Sequence, residues 1–192
     1  MRKMIAGMQV SLDGLIEGPE GYADWVESWS DSFGLLDEVD TCVLGGGMYP
    51  GYEQYWGAIA ASPTTPLALT GNVATPEEVE YAHFATATPH VVLSSRLDTA
   101  VWPNTRFVRR LAELGQLKQQ SGKAIYVVGG GMIIRNLIDG GLLDELRLTV
   151  HPLLAGPGKP LFSGLASRSW LDLEDVRKLD TGRVSLTYAI RH

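Results

Sequence analysis

Two stretches of this chain run apolar residues straight into three glycines and then into a helix-forming segment. They are Val43-Leu44-Gly45-Gly46-Gly47-Met48-Tyr49 and Tyr126-Val127-Val128-Gly129-Gly130-Gly131-Met132-Ile133-Ile134. Glycine lets backbone approach a ligand closely, and the helix that follows offers free N–H groups and a positive dipole end to phosphate. One such turn is as well explained by a tight strand-to-helix connection with no ligand; two of them shift the balance toward a dinucleotide. Neither is a Rossmann fingerprint, since a G-x-G-x-x-G frame begun at Gly45 meets Pro50 in its third glycine slot and one begun at Gly129 meets Ile134. No G-x-x-x-x-G-K-[ST] occurs, which leaves phosphate binding by backbone nests on some other fold.

The polar and aromatic candidates are more ambiguous. Asp13 sits in a turn-forming context, where its carboxylate either shapes the loop or meets a ribose or substrate. Trp25, Trp29, Tyr52, Tyr55 and Trp56 either pack a core or stack on a flat heterocycle. His83, His90, His151 and His192 show neither H-x-x-x-H nor any Cys/His spacing, so no metal site is expected. Cys42, the lone cysteine, lies in the apolar run Thr41–Leu44, with nothing nearby to make it reactive; it reads as a buried structural thiol. No G-x-S-x-G nucleophile motif is present.

These residues need elements to hold them. Apolar runs of strand length alternate with helix-period segments, the pattern of an α/β sheet. Strands are expected at residues 3–10, 41–45, 66–70, 90–94, 106–108, 123–128 and 145–152. Two more, 170–179 and 183–191, join through Asp180-Thr181-Gly182 as a hairpin, the last with one drier face. Helices are expected at 24–38, 51–60, 76–87, 108–120 and 132–139, with Thr75-Pro76-Glu77-Glu78 as a capped first turn. The chain has 192 residues, 45% hydrophobic and 20% charged, which suits one domain spanning 1–192. Its net charge of −6, without a basic run, argues against nucleic acid or an anionic membrane as partner. Polar Gln9, Ser11 and Asp13 interrupt the N-terminal segment too soon for a signal peptide, so a soluble cytoplasmic protein is expected.

The opening Ile5-Ala6-Gly7-Met8-Gln9-Val10-Ser11-Leu12-Asp13-Gly14-Leu15-Ile16 resembles the first strand and loop of the dihydrofolate-reductase-like superfamily. Its Ser-Leu-Asp-Gly version is similar to the reductase domain of riboflavin biosynthesis, the RibD C-terminal-like group. The resemblance continues through Val43-Leu44-Gly45 with Tyr49, Val91–Ser95, Val128–Gly131, Gly141–Leu146 and Pro152–Phe162. Each station is weak alone; the ordered set covers nearly the whole chain.

The resemblance implies a three-layer α/β fold, a mostly parallel central sheet with an antiparallel C-terminal strand or hairpin, and reduction by nicotinamide hydride from NADPH, with NADH possible. It places nicotinamide near Ala6 and Ile16. Phosphates would run over the helix starts at Gly45, Gly47, Met48 and Gly129, Gly130, Gly131, Met132, Ile133, with Ser94, Ser95 and Arg96 at the adenosine end. It further implies a cis peptide between Gly129 and Gly130, and a homodimer. Two departures stand out: Gly46 replaces the basic residue usual after the first glycine, and the register of the family's carboxylate falls at Trp29, with Asp31 just beyond. Asp31 is accordingly the expected proton donor, and Gln9, Asp13, Trp25 and Trp29 the expected substrate contacts. The substrate class is a small flat heterocycle, pterin-like or a ribosylamino-pyrimidine; the alternative is a nucleotide- or pterin-binding protein of the same fold without turnover.

Overall fold

The computed structural model describes residues 1–31, 33–68 and 71–192. An eight-stranded sheet organises them. Its strands, in chain order, are β1 (Met4–Ser11), β3 (Val39–Gly45), β4 (His90–Leu93), β5 (Thr105–Val108), β6 (Ala124–Val128), β7 (Glu145–His151), β9 (Leu171–Lys178) and β10 (Val184–Ile190). Short β2 (Leu15–Glu17) and β8 (Lys159–Pro160) pair separately, antiparallel. Across the large sheet the order is β5-β4-β3-β6-β1-β7-β10-β9. Every pair from β5 to β7 is parallel, and β10 runs against both neighbours.

Among the described residues, four α-helices cover the sheet: α1 (Tyr49–Ala61), α2 (Pro76–Ala87), α3 (Leu111–Lys118) and α4 (Gly131–Asp139). Alternation along the strands sorts side chains into two cores. Met4, Ala6, Val43, Ile125, Val127 and Leu146 pack with α3 and α4, while Ile5, Cys42, Leu44 and Tyr126 pack with the aromatic faces of α1 and α2. The result is three layers with one central sheet.

One expected element is replaced among the described residues, and a second lies partly outside them. Residues 24–38 form turns and bends rather than a helix, residue 32 lying outside the described residues. Local side chains compete there for the backbone: Ser28 Oγ accepts from Ser30 N–H at 3.3 Å and Asp31 Oδ1 from Phe33 N–H at 3.0 Å. Phe33 and Gly34 then take left-handed φ of 52° and 71°, which no α-helix accommodates. In the expected strand 66–70, residues 69 and 70 lie outside the described residues. The rest is a turn closed by Leu67 N–H to Asn72 O at 2.8 Å and Gly71 N–H to Leu67 O at 2.7 Å, Pro66 offering no donor to a ladder. The helix expected at 108–120 shortens to α3, because β5 runs to Val108 and Glu113 accepts from the N–H groups of Arg109 and Arg110.

Candidate active site

β3 and β6 are parallel neighbours, Val43 opposite Val127, so both glycine turns emerge at the same end of the sheet. They touch. A Cβ placed on Gly129 would come within 3.0 Å of Met8 Cε and 3.5 Å of Met48 Sδ, and one on Gly45 within 3.8 Å of Ile133 Cβ. Gly129 and Gly130 have φ of 62° and 90°, conformations that side chains rarely adopt. A Cβ on Gly131 would meet Leu161 O at 2.9 Å. The expected cis bond at Gly129–Gly130 is a correction: the described residues contain no cis peptide, and consecutive left-handed glycines turn the chain instead.

The helix starts divide into two kinds. α2 begins with a reciprocal box between Thr75 and Glu78, and Glu113 satisfies the start of α3. α1 and α4, the two that follow the glycine triplets, have no side-chain cap and no acidic residue in their first turns. Their leading N–H groups and positive dipole ends therefore lie side by side without an anionic partner from their own first turns. Gly47 opens onto empty space, and Met48 and Met132, which follow the two triplets, are exposed. Gly46 has a packing reason: a Cβ there would sit 2.5 Å from Ser94 Oγ, so no basic side chain fits without moving Ser94.

Beside the first glycine turn, Ser94 Oγ accepts from the N–H groups of Arg96 and Leu97 at 3.2 and 3.0 Å. Arg109 secures the same loop by donating to Ser94 O and Leu97 O, both at 2.6 Å. Ser95 and Arg96 are exposed. Ile16 reaches the third glycine of the second turn, 3.3 Å from a Cβ there, while the Ala6 methyl is fully buried in the core.

The other half of the site lies over β1 and β7. Strand β7 alternates Glu145, Arg147, Thr149 and His151 with Leu146, Leu148 and Val150, and the polar set shares a face with Gln9 and Ser11 of β1. The segment 24–38 crosses this face and is bound to it by polar contacts. Thr149 Oγ1 donates to Asp31 Oδ2 at 2.5 Å, Gln9 Nε2 to Ser28 O at 3.0 Å and Arg147 to Phe33 O at 2.7 Å. The Phe33 ring lies directly on Gly7, where a Cβ would be 2.3 Å from it. Glu145, buried, is held below the ordinary carboxylate range despite that burial by Lys3 and Arg147. His151 Nε2 meets Gln9 Oε1 at 2.8 Å. Burial lowers the pKa of His151, Arg183 lowers it further, and Asp31 and Glu27 oppose both.

Asp31 and Gln9 thus share one face, and Trp25 lies half-buried in the covering segment, its Nε1 enclosed without a hydrogen-bond partner among the described residues. Trp29 is 37% exposed. Asp13 is occupied locally: it accepts from Ser11 Oγ at 2.6 Å and from Ala155 and Gly156 N–H at 3.0 Å each, which pulls its pKa down to about 2. Tyr52 and Trp56 are buried between α1 and α2, so packing accounts for them. Cys42 is fully buried and its thiol pushed well up by that burial. Sequence reasoning missed Thr149 and His151. Strict alternation in Glu145-Leu-Arg-Leu-Thr-Val-His151 carried the signal: four polar residues on one face of an inner strand have something to hold.

Residues 2–185 match the RibD C-terminal domain family. The chain is 30% identical over 190 residues to the uncharacterized protein YyaP of Bacillus subtilis (strain 168), covering 97% of this chain and 94% of that one. Among solved structures it is similar to a putative riboflavin biosynthesis protein from Shewanella sp. PV-4, with TM-score 0.68, 20% identity and full coverage of both chains. It is also similar to dihydrofolate reductase from Enterococcus faecalis complexed with NADP(H), with TM-score 0.62 and 16% identity over 99% of this chain and 97% of that one.

Proposed function

The chain belongs to the RibD C-terminal domain family and has the dihydrofolate-reductase-like fold, and from that premise we propose that it is an NADPH-dependent reductase of a small flat heterocyclic substrate, acting on a ring C=N bond of a pterin-like compound or on the imine of a ring-opened ribosylamino-pyrimidine. The observation that carries the reading is the pair of uncapped helix starts at adjoining glycine turns, one strand away from a face that carries a held carboxylate. A dinucleotide fits the first feature. Its phosphates would take the N–H groups of α1 and α4, with Gly47, Gly129 and Gly130 leaving room for close approach. Arg96, exposed beside Ser94, is the group we assign to a 2′-phosphate, since a guanidinium fork matches phosphate oxygens.

When bound, the cofactor supplies hydride from nicotinamide C4. Reduction of C=N also needs a proton on nitrogen, and Asp31 is the residue we assign to hold it. Thr149 and the Phe33 N–H fix one oxygen each, so the carboxyl group cannot swing away from the cleft. The Phe33 ring and Trp25 supply apolar surface that keeps water from the reacting bond.

The test is steady-state oxidation of NADPH and NADH against a panel of dihydropterins, dihydrofolate and ribosylamino-pyrimidinones. Turnover with at least one is expected, with a modest NADPH preference that shrinks in Arg96→Ala. Tight cofactor and heterocycle binding without any turnover would instead favour a binding protein of the same fold.

A further inference from the structure

Gln9 is buried, yet neither end of its carboxamide is idle. Ser28 O can only accept a hydrogen bond, so the atom 3.0 Å from it must be Nε2 of Gln9. That leaves Oε1 facing His151 Nε2 at 2.8 Å, which fixes the histidine as the Nε2–H tautomer. The carboxamide is therefore clamped in one of its two orientations, by β7 on one side and the covering segment on the other. A carboxamide has two N–H groups and two acceptor lone pairs. One of each is used, and one of each is left.

We infer that His151 is a positioning residue that, through its Nε2–H, holds the Gln9 carboxamide in the orientation Ser28 O dictates, and that Gln9 so held reads the lactam edge, –NH–C(=O)–, of the heterocycle. This rests on the reductase reading of the same site. Gln9 stands opposite Thr149 in the β1–β7 register, so it neighbours the residue that anchors Asp31. A ring held at Asp31 presents an adjoining edge to Gln9. The remaining Oε1 lone pair accepts the lactam N–H, and the remaining Nε2–H donates to the lactam oxygen. A 4-amino congener reverses both: its ring nitrogen accepts and its exocyclic amine donates. Bound in the same pose it sets donor against donor and acceptor against acceptor. An unclamped glutamine would rotate to suit either; this one, if it rotates, loses Ser28 O and forces His151 into its other tautomer. Protonation of His151 leaves the contact intact, because Nε2 donates in both forms, and the groups that act on that protonation are Arg183, Asp31 and Glu27.

The experiment measures dissociation constants of 7,8-dihydropterin and its 4-amino congener on the NADPH-loaded protein, in wild type, His151→Leu and His151→Gln. Wild type is expected to favour the 4-oxo compound, with the ratio falling about tenfold in His151→Leu. His151→Gln, which keeps an N–H donor for Gln9, restores most of it. A role in folding alone would weaken both ligands together and leave the ratio unchanged, which overturns the inference. If His151→Leu does not fold, Gln9→Met reads the same ratio. Binding and turnover with an unchanged ratio defeats only this inference; failure of the wild type to bind either compound defeats the inference together with the pterin-like form of the reductase reading.

Discussion

Asp31, the group we assign to hold the proton, is the residue at which a chemical role is most sharply testable against an architectural one. Its partners are a strand threonine and the main-chain N–H two residues further along, neither of which is a positive charge. A carboxyl group kept in place by neutral donors is free to exchange a proton without breaking an ion pair. Asp31→Asn preserves shape and removes that exchange, so kcat for any imine substrate should drop roughly 10²-fold or more with cofactor affinity unchanged. Thr149→Val should lower kcat by about tenfold, through loss of one positioning hydrogen bond. Stopped-flow measurement of the hydride step distinguishes these from slower product release; full rates in both variants would remove Asp31 from the mechanism. His90 is the opposite case, a polar residue with no part in the site. It is fully buried among Tyr49, Tyr52 and Trp102, and neither ring nitrogen reaches a partner among the described residues. Burial lowers its pKa to about 4 from 6.5. The unfolded chain therefore binds a proton that the folded chain refuses between those values, so stability present above pH 6.5 is lost as pH falls toward 4, by an amount on the order of 3 kcal/mol. His90→Phe should flatten that part of the stability-against-pH curve in urea titrations. A curve that keeps its slope would show that other groups carry the acid sensitivity.

Among the elements, α1 and α4 illustrate what a sequence displays openly. Glycine triplets after apolar runs put both strand-to-helix turns on view, and the hairpin β9–β10 was readable from Asp180-Thr181-Gly182 between two strand patterns. Local sequence did not reveal the covering segment. Its aromatic and acidic residues suggest a helix by spacing, but the side chains of Ser28 and Asp31 bind nearby backbone, Ser30 pairs with Ser28, and Arg147 pins Phe33 from 114 residues away. Long-range contacts of that kind leave no periodic trace, which is why Asp31 is reached only through the resemblance, whereas Thr149 lies in the plain alternation of β7. The bare start of α1 yields a direct prediction. Gly47 has an ordinary φ and open space where a Cβ would go, so Gly47→Asp fits without strain. A carboxylate there favours the helix dipole, so thermal stability should hold or rise slightly. It would also stand where we place the cofactor phosphates and repel them. Isothermal titration should show NADPH affinity reduced by about tenfold or more, whereas unchanged affinity would move the phosphates elsewhere.

At the scale of the whole molecule, the sheet is covered unevenly. Helices pack on β3, β4, β6 and β1, but β9 is exposed along most of its length. On one face Leu171, Leu173 and Val176 pair with Ile190, Tyr188 and Leu186, a bulge at Thr187/Tyr188 keeping Val176 in line despite its odd spacing. Leu173 and Val176 are 55% and 56% exposed, and Trp170 beside them 65%. A soluble chain rarely leaves so contiguous an apolar strip bare. Edge-to-edge pairing is discouraged by the charges of Asp172, Glu174, Asp175, Arg177 and Lys178 along the same strand. Face-to-face burial against an identical strip is not, and a two-fold axis makes such a patch self-complementary. We therefore propose a homodimer closed through β9 and β10. Analytical ultracentrifugation should give twice the 20.9 kDa of one chain. Leu173→Lys with Val176→Lys places like charges opposite one another across the axis and should return the monomer, with the sheet still folded by circular dichroism. A wild type that sediments as a monomer at tens of micromolar would refute the dimer outright. A double variant that stays dimeric would put the interface on another face, and the exposed strip of β9 would then need a different partner.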